Sequence, residues 1–248
     1  MNCLGKETEN RKRQHVDLVL RKGMQYEKKT GLEKLEYEHC ALPELNITDI
    51  DLSASFLGKK VRFPLIIEAM TGGYTQAGEI NKNLAECAEK HGLAFALGSQ
   101  RAMIEDNALT ETYRIRDVAP TVPLIANIGA VQLKQYDSKV IENMVAAVDA
   151  DALAVHLNPL QEAIQPEGDH DFSGICKALL AIKNCLGVPI IVKETGAGIS
   201  QEVAIRLREV GVTMIDVAGA GGTSWSRVEY GRNGITPGFE EWGVPTVE

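Results

Sequence analysis

The chain has 248 residues, 44% hydrophobic and 24% charged, which is the balance of a globular domain with one large core. Its formal net charge of −8 argues against a general nucleic-acid surface, and no run of about 18 apolar residues is present that could span a membrane. The basic N-terminus lacks the apolar segment of a secretory signal. The five cysteines form no CxxC pair, so we expect reduced thiols in a cytoplasmic protein.

Residues 1–60 are polar and irregular, with helical spacing over 11–22 and a turn at 29–31. We expect an N-terminal extension over 1–60 and a regular domain over 61–248, in which apolar runs alternate with segments of helical spacing. The predicted strands cover 63–70, 93–101, 122–129, 151–158, 188–195 and 213–222. The predicted helices cover 77–92, 107–117, 138–149, 172–186 and 200–211.

This alternation predicts parallel βα units in an α/β protein, either an open doubly wound sheet or a TIM (β/α)8 barrel. The glycine pattern GxGxxG, which would favour the open sheet, is absent after the first strand. Polar or glycine-rich residues close all six predicted strands, at Thr71–Gly73, Ser99–Arg101, Asn127, His156 with Asn158, Lys193 and Gly221–Thr223. A barrel gathers all its strand ends around one mouth, so we predict a barrel.

Only about six of the eight βα units of such a barrel are recognisable. A glycine-rich connection follows Trp225, and the segment WGVPT near the last residue resembles the lead-in to a seventh unit. We therefore expect a barrel that is incomplete at its C-terminal side.

Several strand-end residues suggest chemistry, although each has a structural alternative. Lys193 closes an apolar strand and needs an anionic partner or a reactive role, unless it reaches solvent. His156 is either a site residue or a satisfied core histidine. Arg101 and the early RKRQH segment could meet phosphates, although RKRQH alone is typical of a solvated helix face. Glu162 beside Gln161 could hold Mg²⁺ together with substrate phosphate oxygens, although a lone loop glutamate is normally a surface residue.

The combination is more informative than its parts. Glycine pairs at 72–73 and 221–222 would let backbone approach a flat or phosphorylated ligand, although each pair could simply form a tight turn. A barrel mouth with such turns, a strand-end lysine and amides is typical of a flavin site. The added arginine and carboxylate suggest a diphosphate and a metal ion.

Seven segments resemble type 2 isopentenyl-diphosphate isomerase, in chain order from Arg11 to Thr246. They are NRKRQHV (10–16), AMTGG (69–73), GSQR (98–101), VAPTVPLIANIG (118–129), ADALAVHLNPLQEAIQPEGD (150–169), VPIIVKETGAGIS (188–200) and GAGGTSW (219–225). The pair HLNPLQE and GGTSW is specific for the family. The resemblance implies a (β/α)8 barrel that interconverts isopentenyl and dimethylallyl diphosphate, using Mg²⁺ and an FMN that must be reduced, commonly by NADPH.

The resemblance also implies roles for individual residues. The positions that line the flavin are Ala69, Met70, Thr71, Ser99, Asn127, Lys193 and Thr223. The positions that meet the substrate are Arg11, Lys12, Ser99, Gln100, Arg101, Asn158 and Gln161. Glu162 is implied as the Mg²⁺ ligand, and the catalytic positions are Gln161, His156, Lys193 and Trp225. The implied partner is isopentenyl diphosphate, and we expect a homo-oligomer that binds neither nucleic acid nor a membrane.

Because the isomerisation has no net redox change, the resemblance implies that reduced flavin serves acid–base chemistry rather than hydride transfer. The family's phosphate-binding glycine segments after the seventh and eighth strands have no counterpart here, so we expect weak FMN binding and no activity from this chain alone. Two alternatives remain open at this stage. One is an FMN-dependent oxidoreductase of the α-hydroxy-acid oxidase type, and the other is an inactive truncated paralogue.

Overall fold

Six parallel strands form one curled sheet in which neighbouring strands follow the order of the chain. A computed structural model describes residues 3–234 and 238–248. The strands are β3 (Ile66–Ile67), β4 (Ala94–Ala96), β5 (Leu124–Gly129), β6 (Ala152–Leu157), β7 (Ile190–Glu194) and β8 (Met214–Asp216), and they follow a short antiparallel hairpin of β1 (Ala54–Phe56) and β2 (Lys59–Val61). All six predicted strands are present, and the predicted α/β class of parallel βα units is confirmed.

The centre of the sheet is its most regular part, because β5 pairs with β6 and β6 with β7 over five residues each. Every residue of β5 and β7 is buried, as expected for strands covered on both faces. Their apolar side chains pack with those of the surrounding helices in one large core. Strands β3 and β8 form the two edges of the sheet within the described residues.

Helices connect the strands and cover the outside of the sheet. They are α1 (Cys3–Lys22), α2 (Thr75–His91), α3 (Arg101–Glu105), α4 (Gln132–Gln135), α5 (Ser138–Ala147), α6 (Pro159–Ile164), α7 (Ile175–Cys185), α8 (Gln201–Glu209) and α9 (Trp225–Asn233). Side-chain caps mark several of their starts: Asp137, Ser200 and Ser224 each accept a hydrogen bond from a backbone N–H in the first turn of the following helix. None of the described helices is long and apolar enough to cross a membrane.

The N-terminal segment is not separate from the sheet. Helix α1 packs on α9 and α3, above the C-terminal ends of the strands. Gln25, just after α1, forms an antiparallel bridge with Thr223, and Tyr26 donates its backbone N–H to the carbonyl oxygen of Gly222. The hairpin of β1 and β2 spans position 60, at which the sequence suggested a boundary between extension and domain.

Two sequence expectations about helices were wrong. The predicted helix over 107–117 is a short 3₁₀ helix, Asn107–Thr112, because polar side chains compete with the backbone for hydrogen bonds. Asp106 accepts from the backbone N–H of Ala108, and Thr112 donates its hydroxyl to the carbonyl oxygen of Leu109. The N-terminal helix expected over 11–22 begins at Cys3 instead.

The segment WGVPT lies beside the loop that follows β8. Pro245 forms a parallel bridge with Ala220, and the backbone N–H of Ala220 donates to the carbonyl oxygen of Val244. Val247 in turn donates to the carbonyl oxygen of Thr30 in the N-terminal segment. The last residues of the chain are thus held at the same end of the sheet as the predicted site.

Candidate active site

The C-terminal ends of β5, β6 and β7 bring three of the predicted site residues side by side. His156 of β6 pairs in register with Gly129 of β5 on one side and with Lys193 of β7 on the other. Asn127 lies two residues before Gly129, on the same strand. Because parallel strands end at one edge of a sheet, residues separated by 66 positions in the chain, from 127 to 193, meet here.

His156 is held by Asn127 through a hydrogen bond of 2.8 Å between Nδ1 and Oδ1. Burial lowers the pKa of His156 to about 3, and the positive charges of Lys193 and Lys12 contribute to the shift. The imidazole is therefore neutral near pH 7. Since an amide oxygen only accepts, Nδ1 carries the proton, and Nε2 keeps its lone pair.

Lys193 is buried at the end of β7, with one hydrogen bond and one ion pair. Its Nζ donates to the carbonyl oxygen of Glu194 at 2.7 Å and lies 3.4 Å from Oδ2 of Asp216. Glu68, just after β3, is close enough to interact with both Lys193 and Asp216. Burial raises the pKa of Glu68, and Lys193 offsets this only in part.

These surroundings fit a flavin ring. Thr71 and Thr223 lie just beyond β3 and β8, at the same end of the sheet as Asn127 and Lys193. The backbone at Gly222 borders open space, since a Cβ there would have no heavy atom within 4 Å. A flat ligand could therefore approach the backbone at this point without obstruction.

Helix α1 places Lys12 over the turn that follows β3. The Nζ atom of Lys12 donates to the carbonyl oxygen of Ser99 and to the hydroxyl of Tyr113, each at 2.8 Å. Burial lowers the pKa of Lys12 to about 7, and repulsion from Arg11 and Arg101 adds to the effect, while Glu105 acts in the opposite direction.

Arg11 and Arg101 complete a cluster of three cationic side chains with Lys12. Burial lowers the pKa of Arg11, and repulsion from Arg101 is the next largest cause. Burial alone would also lower the pKa of Arg101, but its 2.6 Å ion pair with Glu105 raises the pKa overall. Carboxylates already pair with both arginines, Glu167 with Arg11 at 3.8 Å and Asp169 with Arg101 at 3.9 Å. An anionic ligand would further relieve the repulsion among the three cations.

Helix α6 carries the polar corner that follows β6. Glu162, expected in a loop, lies on this helix, and Asn158 donates its side-chain amide to both Gln161 (3.3 Å) and Glu162 (3.2 Å). The other carboxylate oxygen of Glu162 accepts from the backbone N–H of Asp169 at 2.8 Å. No group of three or more potential metal-ligating acids, histidines or cysteines occurs in the described part of the chain. Glu162 is the carboxylate of this corner that could hold a Mg²⁺ ion, if substrate oxygens and water supplied the other ligands.

The remaining predicted residues lie in different surroundings. Gln100 is completely buried, and its side-chain oxygen accepts from the backbone N–H of Asn127 at 2.9 Å, so it joins β5 to the loop after β4. Met70 is 62% exposed, and Ala69 is half-buried. Trp225 begins α9 and lines a small cleft together with Gln161.

Sequence reasoning missed Glu229, which connects three helices below this cleft. Its carboxylate is fully buried and lies 2.9 Å from Nε2 of His15, 2.8 Å from Nε of Arg232 and 3.2 Å from Nε2 of Gln161. Burial alone would raise the pKa of Glu229, but the hydrogen bond with His15 and the neighbouring Arg232 lower it overall. Nothing in the segment SRVEYGRN suggests this burial, because it results from packing of α1 on α9.

Glu194 is a second residue that the sequence did not indicate. Its carboxylate accepts from the backbone N–H groups of Thr195 (2.6 Å), Gly196 (2.7 Å) and Ala197. Burial nevertheless raises the pKa of Glu194, with these hydrogen bonds acting against it. The carboxylate thereby fixes the turn after β7, which forms one wall of the cleft that contains Gln161 and Trp225.

The fold and the site define a parallel α/β protein of the barrel type, with a cluster of cationic side chains near the strand ends. Two crystal structures of (S)-mandelate dehydrogenase share this fold. The first is that of the monotopic membrane protein, which has a TM-score of 0.52 and 15% sequence identity. The match covers 85% of this chain and 70% of the dehydrogenase chain. The other is a mutant of an active chimera of the enzyme, with a TM-score of 0.52, 16% identity, and coverage of 84% and 69%. At this level of identity the likeness concerns the fold alone.

Curated relatives give the family. Isopentenyl-diphosphate delta-isomerase of Pyrococcus furiosus is 44% identical over 98% of this chain and 65% of its own length. Two enzymes of the same name match equally well. The enzyme from Cronobacter sakazakii is 46% identical over 98% of this chain and 73% of its own length. The enzyme from Synechocystis sp. is 47% identical over 97% of this chain and 71% of its own length. No protein-family model matches the sequence. The chain belongs to the isopentenyl-diphosphate delta-isomerase family and spans roughly two thirds to three quarters of these relatives.

Proposed function

We propose that this chain carries the substrate-binding part of a type 2 isopentenyl-diphosphate isomerase, which interconverts isopentenyl and dimethylallyl diphosphate with reduced FMN and Mg²⁺. The observation that carries the proposal is the cluster of Arg11, Lys12 and Arg101, three cations held together beside the carboxylate corner of Glu162. A diphosphate would satisfy the cations, and a Mg²⁺ ion between its oxygens and Glu162 would complete the charge balance.

Lys193, Thr71, Asn127 and Thr223 would hold the flavin ring at the ends of their strands. When bound, reduced FMN supplies an electron-rich group that can exchange a proton with the alkene. The isomerisation adds a proton at one carbon of the substrate and removes one from another, so the carbon skeleton needs a site from which water is excluded. The buried strand ends and the indole of Trp225 would enclose that part of the substrate.

The described side chains suit such a proton transfer in three respects. His156 is neutral and fixed by Asn127, so its Nε2 can accept a hydrogen bond from the substrate and help to orient it. Gln161 is oriented by Glu229 and would position the substrate rather than act as an acid, since a neutral amide is a poor general acid. Lys193 would stabilise negative charge on a reduced flavin.

The alternative of an α-hydroxy-acid oxidoreductase has less support. The (S)-mandelate dehydrogenases are only 15–16% identical to this chain, whereas the isomerases reach 44–47% over nearly all of it. NADPH as the reductant and a homo-oligomeric assembly belong to the proposal and rest on the sequence resemblance. A cytoplasmic location also belongs to the proposal and rests on the scattered cysteines.

The direct test is an isomerisation assay with isopentenyl diphosphate, Mg²⁺ and FMN under anaerobic conditions. It compares this chain alone, this chain joined to the part of the Synechocystis relative that follows the matched region, and the complete relative as a positive control. We expect the joined protein to form dimethylallyl diphosphate only after FMN is reduced. Equal turnover with oxidised FMN, or no turnover by the joined protein when the relative is active, would overturn the proposal.

A further inference from the structure

Tyr113 lies directly beneath the glycine turn that follows β3. Its side chain is completely buried, and its ring occupies the space left by the missing Cβ of Gly72, where such an atom would lie 2.0 Å from the ring carbon Cε1. A Cβ at Gly73 would lie 3.0 Å from the Tyr113 hydroxyl and 3.3 Å from Nζ of Lys12. The ring is therefore wedged between this turn and the core, with its hydroxyl pointing towards the cationic cluster.

The hydroxyl of Tyr113 makes two hydrogen bonds with fixed direction. It donates to the carbonyl oxygen of Ser99 at 2.8 Å and accepts from Nζ of Lys12 at 2.8 Å. Lys12 also donates to the same carbonyl oxygen at 2.8 Å, so the ammonium, the hydroxyl and the carbonyl form a closed triangle. Two of the three N–H groups of Lys12 thus donate to protein oxygens. The third N–H points in a defined direction and is available to a ligand.

We propose that Tyr113 is a positioning residue for anion recognition, which holds Lys12 in its charged form and aims its remaining N–H at a phosphate group of the substrate. The inference rests on the proposed function for its ligand, a diphosphate. Tyr113 does not touch that ligand itself, because it is fully buried below the turn. It acts through Lys12, from a position 101 residues away in the chain.

The charge of Lys12 depends on several neighbouring groups. Arg11 on the same helix and Arg101 on α3 disfavour the ammonium, while Glu105 on α3 favours it. His156 on β6 is also within electrostatic range, but it is neutral near pH 7. The Tyr113 hydroxyl is a neutral acceptor that stabilises the ammonium and not the amine. Removing this acceptor is therefore expected to lower the pKa of Lys12 below its value of about 7.

The test compares Tyr113→Phe with Tyr74→Phe, in which another buried tyrosine outside the Lys12 triangle loses its hydroxyl. Competitive acetylation followed by mass spectrometry gives the pKa of Lys12 from the pH dependence of its labelling. We expect Tyr113→Phe to lower this pKa by about one unit, and Tyr74→Phe to leave it unchanged. If Tyr113→Phe fails to fold, 3,5-difluorotyrosine at position 113, a poorer acceptor, should shift the pKa in the same direction.

Binding of magnesium pyrophosphate, measured by calorimetry across pH, supplies the second readout. With the pKa of Lys12 one unit lower, the lost charge alone should make Tyr113→Phe bind about fivefold more weakly at pH 7 and nearly tenfold more weakly at pH 8. At pH 5 Lys12 is charged in both proteins, so any weakening that remains there measures the lost aim of its N–H. Weakening by one constant factor at every pH, with an unchanged Lys12 pKa, would overturn the proposal and leave Tyr113 a packing residue. If the unsubstituted chain binds no pyrophosphate, the anion site of the proposed function is contradicted, and so is the role of Tyr113 that depends on it.

Discussion

The Nδ1 atom of His156 lies 2.8 Å from Oδ1 of Asn127, so neighbouring strands β6 and β5 present one hydrogen-bonded pair at their C-terminal ends. The pair fixes the imidazole in one tautomer and leaves its Nε2 as an acceptor. Burial and the nearby charges of Lys193 and Lys12 keep this ring neutral. A neutral, oriented histidine beside a buried lysine presents one fixed hydrogen-bond acceptor at the strand ends.

The low pKa of His156 predicts a specific loss of stability in acid. Its folded-state pKa of about 3 lies below its ordinary value of 6.5, so the unfolded chain takes up a proton first as the pH falls below 6.5. Between about pH 7.5 and about pH 5.5, His156 should account for a loss of about 1 kcal/mol of unfolding free energy. Urea titrations of His156→Gln should lack this contribution, whereas His39→Gln, at an exposed site, should retain it. Equal pH dependence of all three proteins would contradict the account.

Gly72 should tolerate no side chain, because Tyr113 fills the space. A Cβ at Gly72 would lie 2.0 Å from Cε1 and 2.5 Å from Cζ of the Tyr113 ring. We expect Gly72→Ala to lower the unfolding free energy by about 1–3 kcal/mol or more, as for other overpacked cores. Gly187→Ala is the matched control, since a Cβ there would have no heavy atom within 4 Å. Similar urea midpoints for both variants would show that Tyr113 does not occupy this space.

Replacement of Glu229 should be costly, because its carboxylate faces His15 and Arg232 in a buried setting. Removing one partner of a buried charge pair typically costs about 3–5 kcal/mol. Arg232 keeps a second partner, Glu167 at 2.7 Å, so the cost should lie at the lower end of that range. We therefore expect Glu229→Gln to lower the unfolding free energy by about 3 kcal/mol. Glu209→Gln, at the exposed end of α8, should change it by less than about 0.5 kcal/mol. A small effect for Glu229→Gln would mean that the helices hold together without this carboxylate.

Glu162→Gln tests the magnesium corner. The amide can still accept from the backbone N–H of Asp169, so the loop should remain in place, but it lacks the negative charge that Mg²⁺ requires. We expect the Mg²⁺ concentration for half-maximal pyrophosphate binding to rise at least about tenfold. Glu86→Gln, on the exposed face of α2, serves as the control. An unchanged Mg²⁺ dependence would show that Glu162 is only a structural residue.

Much of the fold could be predicted from the sequence, because each strand is a continuous apolar run bounded by glycine or polar residues. The observed strands are shorter than predicted at both edges of the sheet: β3 covers only Ile66–Ile67 of 63–70, and β8 only Met214–Asp216 of 213–222. Single-sequence patterns indicate burial, and the segments that follow these two strands are partly buried although they do not pair with the neighbouring strands of the sheet.

The strand pattern could place His156 and Lys193 beside each other, because both lie in the last two residues of their strands. Tyr113 and Glu229 could not be found in this way, since each meets its partner only through tertiary packing. The contact of Tyr113 with Lys12 spans 101 residues, and that of Glu229 with Gln161 spans 68. Their local sequence patterns predict nothing about these partners, because periodicity describes one helix face and not what covers it.

The most direct test of the central claim is calorimetric titration of this chain with isopentenyl diphosphate in the presence of Mg²⁺. The account predicts one binding site that requires Mg²⁺ and that inorganic pyrophosphate competes for. Arg101→Ala should weaken binding by about tenfold or more, the effect of losing one charge-assisted hydrogen bond, and Arg208→Ala, on the exposed face of α8, should not. Absence of binding, or equal affinity in the Arg101→Ala variant, would contradict the claim that Arg11, Lys12 and Arg101 form a diphosphate site.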